Sequence, residues 1–115
     1  MRRTLEDELI KIWSTLSGNL EDEIDEFAKK LYEKGIIGKG VRKTKDCQAM
    51  MDTFVSSMAV FDTIEKFEGH CSTLLDILAD IGGAAKITGT TLWKSWKIAV
   101  KNKYGIEFLL NHGMY

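Results

Sequence analysis

Proline is absent from this chain of 115 residues. That excludes extended polyproline linkers and proline-broken strands as organising elements. Cysteine is nearly as scarce. Cys47 and Cys71 stand alone, too few for a disulfide-stapled secreted scaffold and at no metal-site spacing, so both are expected to be reduced. No apolar run approaches the ~20 residues of a membrane span, and the opening MRRTLEDELI lacks the apolar core of a signal peptide. The expectation is a small cytoplasmic domain with no membrane partner. Net charge is almost missing too, at −1. A surface of one sign, which would favour nucleic acid or an anionic membrane throughout, is therefore excluded.

The near-zero total hides an alternation. Residues 1–33 carry nine acids and five bases, and residues 34–51 five bases and one acid. Residues 52–83 carry six acids and one base, and residues 84–115 five bases and one acid. Such blocks are commonly the solvated faces of amphipathic helices. Opposed patches on one small body also suit pairing with copies of itself or with related domains, because complementary potentials steer encounter and set register.

At 44% hydrophobic and 29% charged the chain can bury one core, and its length suits one domain of ~100–150 residues. Apolar residues recur at helical spacing almost throughout. Leu5, Leu9, Ile12, Trp13 and Leu16 stripe a first helix, which Ser17-Gly18-Asn19 should stop, with Asn19 capping the next. Leu20, Ile24, Phe27 and Leu31 stripe a second, with acids in its first turn and Gly35 as its left-handed cap. A hinge follows at 36–41, then a short basic third helix over 42–49. A fourth carries Met51, Phe54, Met58, Phe61 and Ile64 inward as far as Phe67-Glu68-Gly69. A fifth is expected over 71–81, ended by Gly82-Gly83, and a last from near Thr90 to Tyr104-Gly105. No alternating strand pattern competes. The expected fold is an all-α, six-helix antiparallel bundle over 1–104, with 105–115 a docked turn, a tail or the start of a linker. Its expected core includes Leu9, Trp13, Ile24, Phe27, Leu31, Phe54, Phe61, Leu74, Leu78 and Trp96.

Catalytic signals are thin. His70 and Cys71 are adjacent, which on a helix turns them about 100° apart rather than towards each other as base and nucleophile. Adding Cys47 or His112 would give a four-ligand set with no recognised spacing. There is no GxGxxG and no P-loop. No enzyme activity, metal or cofactor is expected. In TTLWKSWKIAVKNKYG, lysines 94, 97, 101 and 103 interleave with Trp93, Trp96 and Tyr104, a mixture found on some nucleic-acid-binding helices. The tryptophans are nevertheless spaced as core positions, and the acidic second and fifth helices would repel a phosphate backbone. A nucleic-acid-binding helical domain is the rival reading, and nucleic acid is not the expected partner.

Three segments carry a family resemblance. DEFAKKLYEKGIIGKGV has a leucine-bearing helix closed by a Gly–aliphatic turn, IEKFEGHCSTLLDILADIGGAA a fourth-helix end, a turn and a leucine-patterned fifth helix ending in glycine, and TTLWKSW a closing helix with Leu and an aromatic. Over residues 5–103 the chain resembles the death-fold superfamily, and within it most a caspase-recruitment-type domain. The resemblance implies a six-helix bundle acting as a non-enzymatic adaptor. It would bind like domains, itself or related death-fold proteins, and form homo-oligomers or filaments in apoptotic or innate-immune signalling. One common contact in that family sets acidic second and third helices against basic first and fourth ones. Here Glu21, Asp22, Asp25 and Glu26 supply an acidic face, but the third helix is basic and the fourth is not. The candidate basic face is drawn from Lys39, Arg42, Lys43 and Lys45, or from Lys94, Lys97 and Lys101.

Overall fold

A computed structural model describes residues 1–110, all of them helix, turn or loop with no strand. The expected all-α, six-helix bundle is what forms. The helices are α1 (Arg2–Asn19), α2 (Ile24–Glu33), α3 (Lys39–Thr44), α4 (Cys47–Ser57), α5 (Ile64–Ile81) and α6 (Gly83–Tyr104). Short 3₁₀ turns at Glu21–Glu23 and Met58–Val60 join α1 to α2 and extend α4.

The two longest-range tethers join α1 to α6. Thr4 and Tyr104 hydroxyls lie 3.4 Å apart, and the Trp96 indole N–H donates to the Leu5 carbonyl at 2.9 Å. At the other end the Asn19 amide donates to the Ala84 carbonyl at 3.3 Å and to the Thr88 hydroxyl. Early residues of one helix thus meet late residues of the other, so α1 and α6 run antiparallel. α5 reverses into α6 at Gly82, whose φ of 79° and ψ of −167° suit glycine alone. The Cα radius of gyration, 13.2 Å, matches the ~13 Å of a well-packed domain of about this size.

The stripes meet in one core. Leu9, Trp13, Phe27, Leu31, Phe54, Leu74, Leu78 and Trp96 are buried as expected. Ile24 and Phe61, also expected inside, are only half-buried against its edge. Trp96 is fully enclosed, with its one polar atom satisfied by Leu5, so a large indole fills the centre without an orphan donor.

Several boundaries differ from the sequence expectation. α1 continues through Gly18, and Asn19 caps nothing; its side chain is spent on α6, and a 3₁₀ turn follows. α3 starts earlier and stops at Thr44, because Lys45 turns left-handed (φ 53°) and Asp46 caps α4, accepting from the Gln48 N–H at 3.0 Å. α4 stops at Ser57 rather than near Gly69, and Thr63 caps a new helix that runs straight through Gly69. α6 starts at Gly83, seven residues before Thr90. Beyond the left-handed Gly105 the described tail turns back. Phe108 and Leu110 are buried in the core, the Phe108 carbonyl accepts from Lys97 at 3.1 Å, and the Leu109 N–H is held by Glu68. The rest of the 105–115 segment, with His112, lies outside the described residues.

Candidate interaction surface

The acidic face begins where α1 ends. Glu21 and Asp22 sit in the 3₁₀ turn, and Asp25 and Glu26 in the first turn of α2. All four are exposed. The positive end of the α2 dipole favours them there, while Ile24, Phe27 and Leu31 anchor the helix from the other side. Two of the four already have partners. Asp25 pairs with Lys45 at 2.9 Å, and Glu26 with Lys30 at 3.4 Å. Lys30 also reaches Asp80 on α5 at 3.2 Å, and this hydrogen bond is the main cause of its raised pKa. Glu21 and Asp22 have no ion pair among the described residues.

The first basic group lies beside this acidic corner. Lys39, Arg42 and Lys43 are on α3, and Lys45 follows it. Packing brings Lys45 onto Asp25, and places the Arg42 guanidinium 4.9 Å from the centre of the Tyr32 ring on α2. Part of this basic block is therefore neutralised within its own molecule. Lys45 also lines an open groove of about 710 Å³ between α1 and the α3–α4 junction, with Trp13, Ser14, Glu21, Ile24 and Cys47 among its walls.

The second basic group stays apart. Lys94, Lys97 and Lys101 share the outer side of α6 at i, i+3, i+7. Lys97 is turned inward, bonded to the Phe108 carbonyl, 5.6 Å from the Trp93 ring centre and 4.0 Å from Glu107. Lys94 and Lys101 are exposed and have no ion pair among the described residues. Sequence reasoning missed Ile87 and Ile98, which stand 70% and 60% exposed on the same outer side. A helix that starts at Thr90 leaves Ile87 outside it, although the i, i+11 spacing to Ile98 is visible once the true start is known.

The residues considered for chemistry are otherwise engaged. Cys71 is completely buried, and burial pushes its thiol pKa well up; Cys47 is half-buried, and both are free. A raised pKa removes the thiolate that a nucleophile needs. His70 Nε2 lies 2.8 Å from the Phe54 carbonyl, and the ring stacks on Phe54. Among the described residues no group of three His, Cys, Asp or Glu is placed to hold a metal. No helix of the described residues is long and apolar enough to cross a membrane. The two tryptophans of α6 offer no platform for bases, since Trp96 is enclosed and Trp93 lies half-buried beneath Lys97; of the α6 aromatics Tyr104 alone is exposed, at 39%.

Compared with known proteins, the chain matches no family model, no curated protein and no solved structure.

Proposed function

We propose that this chain is a non-enzymatic protein–protein interaction module that assembles with like domains through oppositely charged surfaces. The observation that carries the reading is the separation of charge on a rigid scaffold. Glu21 and Asp22 lie exposed at one corner and Lys94 and Lys101 on another helix, all four without an ion pair among the described residues. A packed helical body loses little backbone order when an opposite patch docks, each Glu or Lys side chain immobilised there costs about 0.5–1.5 kcal/mol, and like charges gathered on it steer the encounter. Where two such surfaces differ, one copy can offer its acidic side while accepting another on its basic side, which builds oligomers or open filaments.

The death-fold resemblance adds the setting: homotypic assembly in apoptotic or innate-immune signalling, in the cytoplasm, with itself or a related domain as partner. The all-helical architecture and the leucine-rich α5 support that placement. The rival reading, nucleic-acid binding by α6, keeps its lysines but loses the stacking role of its tryptophans.

Light scattering over a range of protein concentration and salt tests the proposal. Concentration-dependent growth in mass at low salt, reversed by added salt and occurring without nucleic acid, is the expected result. A monomer at all concentrations and salts would remove the proposal.

A further inference from the structure

α6 is the longest helix of the fold and carries charge of one sign only. Between Gly83 and Tyr104 it holds Lys86, Lys94, Lys97, Lys101 and Lys103 and not one Asp or Glu. Its inner side is Ala85, Leu92, Trp96 and Val100, all buried. Directly opposite, Ile87, Thr91, Lys94, Ile98 and Lys101 follow one another at steps of four, three, four and three. That is the spacing of a seam that packs against another helix, here turned to solvent. The stripe is about 21 Å long at 1.5 Å per residue. Its two isoleucines are among the most exposed large apolar side chains of the protein.

Two such stripes would not pair with each other. Lacking acids, α6 would set lysines against lysines in either orientation. The complement must be acidic, and this chain carries one. Glu21, Asp22 and Glu23 form an exposed, all-acidic 3₁₀ turn leading into Asp25 and Glu26. From Glu21 to Glu26 the backbone advances about 9 Å, taking ~2.0 Å per 3₁₀ step and ~1.5 Å per α step. Lys94 and Lys101, two turns apart, stand about 10.5 Å from each other along α6. The acidic run and the lysine pair are thus of similar length, and the flexible four-carbon stems of Lys94 and Lys101 let both reach acids of one corner.

Resting on the homotypic reading above, we infer that the outer stripe of α6 (Ile87, Lys94, Ile98, Lys101) receives the Glu21–Glu26 corner of a second copy. The α3 block is the poorer receiver: Lys39 and Lys43 are exposed without an ion pair among the described residues, but Lys45 is held by Asp25 of the same molecule and Arg42 lies over Tyr32. The donor corner and the receiving stripe are on different elements. Each contact therefore leaves one corner and one stripe free, and growth is directional.

The test compares the parent with three variants by sedimentation velocity at low salt, with circular dichroism to check that each is folded. The parent should assemble. The Lys94→Glu/Lys101→Glu variant should associate at least about tenfold more weakly. It keeps its acidic corner, so adding it to the parent should shorten the parent's assemblies by capping their free stripes. The Arg42→Glu/Lys43→Glu variant should assemble like the parent. An Ile98→Ser variant should also weaken association, while leaving its salt dependence unchanged. If the Lys94/Lys101 variant assembles as readily as the parent, the inference fails while the proposed function stands. It fails in the same way if the Arg42/Lys43 variant is the one that stays monomeric. A monomeric parent would overturn both. A monomeric parent that binds duplex DNA or phosphatidylserine vesicles through Lys94 and Lys101 would reassign the stripe to a polyanion.

Discussion

The imidazole of His70 stacks on Phe54 with ring centres 4.2 Å apart, takes the edge of Phe61 at 5.2 Å, and faces the Phe54 carbonyl through Nε2 at 2.8 Å. One residue of α5 thereby ties down both α4 and the bend that follows it. Burial lowers the His70 pKa below its ordinary 6.5, and the Phe54 carbonyl opposes that shift only in part. A histidine whose folded pKa is depressed binds fewer protons in the fold than in the unfolded chain. Its contribution is whole above the unfolded value and is lost as pH falls through the folded one. The melting temperature should therefore drop as pH is lowered from about 7 to about 5. His70→Phe, which keeps a ring against Phe54, should flatten that part of the profile. A variant whose profile follows the parent's would assign the pH dependence to other groups. Nothing in the sequence marked this cluster, since His70 was legible only as the neighbour of Cys71.

Element boundaries show where periodicity informs and where it misleads. The inward spacing of Met51, Phe54, Met58, Phe61 and Ile64 is real, yet the chain breaks between Met58 and Ile64 while keeping it. A 3₁₀ turn followed by a capped restart preserves the same side, so the apolar pattern alone cannot see the break. The signal that could have found it is Asp62-Thr63, a capping pair just before a new apolar run. Gly69 misled in the opposite direction, whereas the stop expected at Ser17-Gly18-Asn19 is where α1 ends. Gly69 sits inside a helix, where glycine costs only about 1 kcal/mol against Ala and a Cβ would meet nothing within 4 Å. Gly82 is the glycine that the fold needs. With φ at 79° and ψ at −167°, Gly82→Ala should cost about 1–3 kcal/mol, and Gly69→Ala should be neutral or stabilising. Urea titration of both variants, with unchanged m-values, is the measurement. The tail is the other element to test. Phe108 is fully buried, so Phe108→Ala should destabilise by about 3–5 kcal/mol, which the same titration would read. A loss below about 1 kcal/mol would show that 106–110 is not integral to the bundle.

For the whole molecule, the four charge blocks of the sequence were legible, but their pairing was not. Linear order says nothing of which blocks become neighbours. Folding brings the second block onto the first, as Lys45 meets Asp25, and ties the third to the first, as Asp80 meets Lys30. The fourth block, on α6, keeps exposed lysines clear of the ion pairs found among the described residues. The same sorting applies within the acidic corner. Asp25 and Glu26 have intramolecular partners, so reversing them would disturb Lys45 and Lys30 as well as any docking surface. Glu21 and Asp22 carry no such burden. Glu21→Lys/Asp22→Lys should therefore keep the helical content of the parent, because both side chains are exposed and neither is held in an ion pair of the described residues. It should lower the urea midpoint only by the lost interaction with the α2 dipole, about 0.3–1 kcal/mol per acid. Its self-association should be abolished at low salt, where a Debye length of roughly 10–30 Å lets several charges act together. In the parent the same association should fade as salt rises towards about 1 M, where screening shortens to about 3 Å. Sedimentation of the variant beside the parent reads both effects. A variant that assembles like the parent at low salt would show that these acids only keep the corner solvated, and the homotypic surface would have to be sought elsewhere on the bundle.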